Sequence, residues 1–97
     1  KADMSSWVGK IKMWFYDGPH DLETTKKAVE YYYNCLAEEA IIVFDDANWR
    51  GVVDGARQGL EAVNAQIIHD RLILGEVEDP NGWWNGLYIV VVRKRHA

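Results

Sequence analysis

The spacing of hydrophobic positions changes several times along the chain, and each change predicts a new element. Ile11–Tyr16 is short and rich in Ile, Trp, Phe and Tyr, which favours a strand. Apolar residues then recur at helical spacing over Leu22–Leu36, with Asp21 placed to cap the helix and Glu23 in its first turn. Ala40–Phe44 is an unbroken apolar run, which is typical of a strand covered on both faces in a parallel sheet.

A second helix follows this strand. Asn48 can cap its start, and Asn64 can end it. One side of the helix is apolar and is formed by Val52, Val53, Ala56, Leu60 and Val63. Gly51, Gly55 and Gly59 each weaken a helix by up to about 1 kcal/mol relative to Ala. Their four-residue spacing would let this helix lie close to the sheet.

Two strand-like runs, Arg71–Val77 and Leu87–Val92, close the chain, with turn-forming residues and the pair Trp83 and Trp84 between them. They predict an antiparallel hairpin. The complete order is strand, helix, strand, helix, strand, strand. It predicts one α/β domain over residues 1–97, with a small mixed four-stranded sheet and a C-terminal antiparallel hairpin.

Composition and charge exclude several classes of function. The net charge is −4, from 11 basic and 15 acidic residues, and the basic residues form no stripe, so we expect no nucleic-acid partner. No apolar run approaches the roughly 20 residues needed to span a bilayer, so we expect no membrane partner. A single cysteine, Cys35, excludes an internal disulfide and suits the cytoplasm.

Acidic residues directly follow both predicted parallel strands. Asp17 follows the first strand, and Asp45 and Asp46 follow the second. In a βαβ unit the carboxyl ends of both strands lie on the same edge of the sheet, where open α/β sheets bind ligands. We therefore expect the three carboxylates to meet, and a hard divalent cation such as Mg²⁺ is the ligand that they would suit. A second interpretation stays open, in which these acids cap a helix and start a turn.

Two stretches around these acids resemble known enzymes. Asp45–Val53 reads DDANWRGVV and resembles the motif D-N-x-x-W-x-G-x-V of metal-dependent O-methyltransferases of the catechol and caffeoyl-CoA type. The Asp, Trp, Gly and second Val match in register, and Asp46 stands where those families have Asn. Tyr16–His20 reads YDGPH, which is similar to the turn after the fourth strand of sugar-modifying macrolide O-methyltransferases. Those enzymes also carry an Asp-Asp pair after strand five.

This resemblance covers about Ile11–Lys94 and implies the C-terminal half of a Rossmann-like methyltransferase fold that uses S-adenosylmethionine. In the strand numbers of that family, the sheet order would be 4-5-7-6. The resemblance implies that Asp17, Asp45 and Asp46 bind Mg²⁺. It also implies that His20 is catalytic, lying near the substrate hydroxyl and assisting removal of its proton. The residues alone favour His20 as an exposed side chain in a polar turn.

The chain departs from this family in its cofactor-binding elements. Nothing in it resembles the glycine-rich loop that holds the cofactor, and Glu38 and Glu39 stand where the family has Gly-Gly before strand five. S-adenosylmethionine would therefore bind only if a missing N-terminal half were supplied. We expect a truncated methyltransferase-like protein that is inactive alone, whose parent activity is Mg²⁺-dependent O-methyl transfer to a small-molecule hydroxyl. The alternative is a non-catalytic binding or assembly module that retains half of the fold.

The missing half would also leave one strand without a neighbour. In the complete fold Ile11–Tyr16 lies in the middle of the sheet, so here its backbone would form an open edge that can pair with another chain. Trp14, Phe15 and Tyr16 would be left partly uncovered. We therefore predict a homodimer through this strand edge or through the aromatic faces around it. The competing outcome is a monomer in which residues 1–9 fold back over the edge.

Overall fold

Strands and helices alternate along the chain as the sequence pattern predicts. The computed structural model describes residues 9–19, 21–74 and 86–95. Its elements are β1 (Ile11–Tyr16), α1 (Leu22–Tyr32), β2 (Leu36–Asp45), α2 (Arg50–Ala62), β3 (Gln66–Ile73) and β4 (Leu87–Arg93). The four strands form one mixed sheet in the order β1-β2-β4-β3, in which β1 and β2 are parallel and β4 is antiparallel to both neighbours. The predicted α/β class, strand order and antiparallel final pair are therefore confirmed.

Helix α1 begins where the sequence predicts and ends earlier. The Asp21 side chain accepts a hydrogen bond from the Thr24 N–H at 2.9 Å, which caps the first turn as expected. The predicted helix end at Leu36 is wrong, because the chain tightens into a 3₁₀ helix over Tyr33–Cys35 and Leu36 starts β2. Leu36 is 1% exposed, so its apolar character reflects burial in the core rather than a continued helix. For the same reason β2 begins before the predicted start at Ala40.

Helix α2 ends in a Schellman motif built on Asn64. The Asn64 backbone is left-handed, with φ of 57°, a region that Asn tolerates better than most residues. Its N–H donates to the Glu61 carbonyl at 3.0 Å, and the Ala65 N–H donates to the Leu60 carbonyl at 2.9 Å. The prediction that Asn64 ends this helix is confirmed.

Gly55 and Gly59 of α2 face α1 rather than the sheet. A Cβ added at Gly55 would lie 2.6 Å from the Leu22 carbonyl oxygen, and one added at Gly59 would lie 2.7 Å from the Val29 Cβ. The prediction that these glycines bring α2 close to the sheet is therefore wrong. Their spacing serves close contact between the two helices instead.

Strand β3 begins before the predicted start of the strand Arg71–Val77, and residues 75–77 of that prediction lie outside the described residues. Most side chains of β3 are exposed because it is an outer strand of the sheet, and it therefore lacks the alternation that a pattern could detect. The predicted strand Leu87–Val92 is confirmed and extends to Arg93. Trp83 and Trp84 lie outside the described residues.

The hydrophobic core lies between the two helices and one face of the sheet. It is formed by Tyr16, Ala40, Ile42, Phe44, Tyr88, Val90 and Val92 from the strands and by Val29, Val52, Val53, Ala56 and Leu60 from the helices. Tyr16 is 7% exposed and its ring lies 5.9 Å from that of Phe44, centroid to centroid. The expectation that Tyr16 is left uncovered is therefore wrong.

The opposite face of the sheet is covered by neither α1 nor α2. We call it the open face, and it carries Met13, Phe15, Ile41, Val43, His69, Arg71, Ile73, Leu87, Ile89 and Val91, with Asp45 at one end and the Glu39–Arg93 ion pair at the other. Met13 is 61% exposed, Phe15 53% and Ile41 40%. The expectation that the second strand is covered on both faces is therefore wrong at Ile41, whereas the expected exposure of Phe15 is confirmed.

Candidate metal centre

Asp17, Asp45 and Asp46 come together at one end of the sheet. One carboxylate oxygen from each residue lies within 4.8 Å of the other two. The parallel register explains the meeting, because Tyr16 pairs with Phe44 and the next residues of both strands are Asp17 and Asp45. The predicted convergence of the three carboxylates is confirmed.

The turn after β2 fixes the position of two of these acids. Asp46 has φ of 58°, a left-handed conformation that Asp and Asn adopt more readily than other non-glycine residues. Its N–H donates to Asp45 Oδ1 at 2.9 Å, and the Trp49 N–H donates to the Asp46 carbonyl at 3.1 Å. The Ala47 N–H donates to the Gly86 carbonyl at 3.2 Å, which ties the turn to the start of β4. Both acids are thereby held at the edge of the sheet.

The start of α2 bears on the alternative in which these acids cap a helix. Trp49 occupies the N-cap position with φ of −77° and ψ of 120°, and it makes no side-chain cap hydrogen bond, so the predicted cap at Asn48 is wrong. The Asp45 carboxylate accepts from the Asp46 N–H, which lies ahead of the helix. Asp45 is therefore placed by the turn and does not satisfy the first turn of α2 through this bond.

The turn after β1 is attached to the first helix. The Tyr16 hydroxyl donates to the Pro19 carbonyl at 3.3 Å, and the buried Thr25 hydroxyl lies 3.4 Å from the same oxygen. These contacts fix the backbone on which Asp17 lies. His20 falls outside the described residues, so its catalytic role stays a prediction.

The donor set suits a hard divalent cation. Three carboxylates supply oxygen, the ligand type that Mg²⁺ and Ca²⁺ take in proteins. Two oxygens on opposite sides of one Mg²⁺ lie about 4.2 Å apart, at about 2.1 Å per bond. At most one pair among three ligands can be opposite, and oxygens at adjacent positions lie about 3.0 Å apart, so the oxygens, which lie within 4.8 Å of one another, would have to move closer together by side-chain rotation. Asp17 is exposed and the other two are half-buried, so one side of the cluster is open to water or to a ligand oxygen.

A second polar cluster, which the sequence pattern does not predict, joins α2 to the last two strands. The Tyr88 hydroxyl donates to Asp70 Oδ2 at 2.5 Å, and Arg57 Nε donates to the Tyr88 hydroxyl oxygen at 3.4 Å. Burial, and then the bond to Asp70, raise the pKa of Tyr88. The bond to Tyr88 raises the pKa of Arg57. The Tyr88 ring lies in the core, so we interpret this cluster as structural, and no sequence spacing links its distant members.

Comparison of the chain with protein-family models, curated proteins and solved structures found no match. The resemblance to methyltransferases therefore depends on the residues of this chain alone. None of the described helices is long and apolar enough to cross a membrane.

Proposed function

We propose that Asp17, Asp45 and Asp46 bind one divalent cation, and that this cation is Mg²⁺. The observation that carries this proposal is the meeting of three carboxylates from two adjacent parallel strands. Like charges at this distance repel one another, and a cation offsets that repulsion. The left-handed Asp46 backbone supports the same conclusion, because unusual backbone conformations cluster at functional sites.

We further propose that the chain is half of a Rossmann-like methyltransferase fold. Its support is the sheet order β1-β2-β4-β3, which is the order expected for that half, together with the motif at Asp45–Val53. The parent activity would be O-methyl transfer from S-adenosylmethionine to a small-molecule hydroxyl. A bound metal supplies charge that orients such a hydroxyl and lowers its pKa. In this proposal the three aspartates would hold the metal, and His20 accepts the proton of the substrate hydroxyl.

The chain alone is proposed to bind metal without transferring a methyl group. Residues 1–10 carry a single glycine, Gly9, whereas backbone N–H groups of a glycine-rich loop are what hold the cofactor in this fold. We further propose a cytoplasmic location, which the single cysteine, Cys35, buried and free, supports.

The second candidate function is a non-catalytic assembly module that self-associates. β1 is an outer strand, and its side chains Met13 and Phe15 are more than half exposed. Two arrangements would cover this side of the sheet in a homodimer. The backbones of two β1 strands could pair along their edges, or the apolar faces that include Met13 and Phe15 could pack together.

Thermal unfolding with and without divalent cations tests the metal proposal. Millimolar Mg²⁺ or Mn²⁺ is expected to raise the Tm of the wild-type chain, because a ligand that binds only the folded state stabilises it. The rise should vanish in Asp45→Ala and persist in Glu61→Gln, a matched loss of one exposed acid on α2. An equal rise in Tm in all three proteins would show a general salt effect and would overturn the proposed metal site.

A further inference from the structure

We propose that the open face is the contact surface of a two-fold dimer in which two copies pack sheet against sheet. This inference depends on the self-association proposed above and selects face packing over edge pairing. It does not require a cation at the three aspartates, although Asp45 pairs with Leu87 at one end of the open face. It assigns an occupant to the apolar surface that α1 and α2 leave uncovered.

Backbone pairing arranges the open face in rows that run across all four strands. Each row starts with a bulky apolar side chain on β1, continues with aliphatic side chains on β2 and β4, and ends with a basic or titratable side chain on β3. The rows are Phe15, Val43, Ile89 and Arg71, and next to it Met13, Ile41, Val91 and His69.

This pattern is complementary to itself. A two-fold axis parallel to the strands, lying between the sheets, exchanges β1 with β3 and β2 with β4. Phe15 of one copy then lies over Arg71 of the second copy. The aliphatic side chains in the middle of each row lie over those of the same row in the second copy. A guanidinium over an aromatic ring is a favourable contact once it is removed from water. Arg71 is thus placed where the second copy provides a ring for it.

Side-chain length across the face also fits such packing. Twisted sheets pack at an angle of about −30°, so the gap between them widens toward the outer strands. Long side chains stand on the outer strands, at Met13, Phe15 and Arg71, whereas the middle of the face carries Val43 and Ile41 with their β4 neighbours. Long residues at the margins and shorter ones in the middle would fill a gap of that shape.

The size of the open face sets the expected affinity between the two copies of the dimer. Four strands about 4.8 Å apart and runs of about seven residues at 3.3 Å each give a flat area of roughly 440 Å² per copy. Side-chain relief makes the accessible area larger, yet the total stays near the low end for specific interfaces, about 1,200 Å². We therefore expect dissociation in the micromolar range rather than the nanomolar range.

Edge pairing is disfavoured by β1 itself. The exposed Lys12 lies in β1, where the register with β2 shifts between Ile11 and Met13 because β2 advances five residues against two. A lysine on an outer strand is a feature by which proteins block pairing at a sheet edge. Pairing of two β1 strands would also leave Ile41, one strand further in, in water. Unpaired backbone groups at the edge can bond to water, whereas the apolar open face cannot.

Sedimentation equilibrium of three proteins tests this inference. The wild-type chain is expected to show a particle of twice the 11.2 kDa chain mass at tens of micromolar. Ile41→Glu places a charge in the middle of the open face and should weaken association at least tenfold. Leu72→Glu is the matched control, because Leu72 is also 40% exposed but pairs with Tyr88 and so lies on the helix side of the sheet. It should stay dimeric.

Circular dichroism establishes that each variant is folded. If Ile41→Glu does not fold, Met13→Glu replaces it, since Met13 is 61% exposed and a charge there costs the monomer little. A wild-type monomer at 100 µM would overturn both the self-association and the face packing. A dimer that persists in the folded open-face variants would overturn face packing alone.

Discussion

Gly59 lies so close to Val29 that a Cβ on residue 59 would be 2.7 Å from the Val29 Cβ. Val29 is fully buried and branched at Cβ, so it cannot move aside. Gly59→Ala should therefore lower the free energy of unfolding by about 2 kcal/mol, because overpacking outweighs the gain of up to about 1 kcal/mol in helix propensity. Urea unfolding followed by circular dichroism measures this difference.

Gln58→Ala provides the control for this substitution. Gln58 is an exposed neighbour on the same helix, and its replacement should change stability by no more than about 0.5 kcal/mol. A Gly59→Ala protein more stable than wild type would show that α1 and α2 are not held at this close distance.

Asn64 provides a second prediction about stability. Its left-handed φ of 57° is unfavourable for alanine by roughly 1–2 kcal/mol. Asn64→Ala should therefore destabilise the protein by about 1 kcal/mol, whereas Asn64→Gly should be neutral or stabilising, since glycine adopts this conformation freely. Equal losses in both variants, measured by urea unfolding, would mean that the Asn64 side chain rather than its backbone conformation is what matters.

The buried Tyr88 hydroxyl makes stability sensitive to alkaline pH. Burial and the bond to Asp70 raise the pKa of Tyr88 in the folded state, so the folded protein holds this proton more tightly than the unfolded chain. The stabilisation that Tyr88 gives the folded state through this proton is complete below the unfolded-state pKa of about 10. It is lost as pH rises through the folded-state pKa. Unfolding free energy should therefore fall above pH 10, and the fall should be shallower in Tyr88→Phe. Burial also raises the pKa of Tyr33, so part of the decline should remain.

The sequence predicts much of this fold because several signals act locally. The Asp21 cap, the turn at Asn64 and the apolar run of β2 are each decided by a few neighbouring residues. The parallel pairing of β1 and β2 follows from the βαβ rule, whereas the order of all four strands is what the resemblance to methyltransferases implies. The meeting of the three aspartates follows from the parallel pairing alone.

The errors have a common physical cause, which is that tertiary contacts override local pattern. Leu36 fits a helical spacing, yet it is buried as the first residue of a strand. β3 carries His69, Asp70 and Arg71 because it is an outer strand, and so it lacks the apolar signal of a buried strand. Gly55 and Gly59 face a helix that only the folded chain brings next to them. Patterns alone do not identify which surface an amphipathic element will contact.

Cofactor binding by the chain alone provides a test of the half-fold. We expect no measurable heat of binding when S-adenosylmethionine is titrated into the protein, with or without Mg²⁺, because nothing in the sequence replaces the glycine-rich loop. Micromolar affinity in this titration would contradict the view that the chain lacks the cofactor-binding half.

The most direct measurement of the central claim is paramagnetic broadening of amide signals by substoichiometric Mn²⁺. The account predicts selective loss of the signals of Gly18, Asp46 and Ala47, beside the three carboxylates, and recovery on addition of excess Mg²⁺. The signals of Gln66 and Arg93 should persist, because Arg93 pairs with Glu39, six residues or about 20 Å along β2 from Asp45. Broadening spread evenly over exposed acids, or unchanged in Asp45→Ala, would contradict a metal site at Asp17, Asp45 and Asp46.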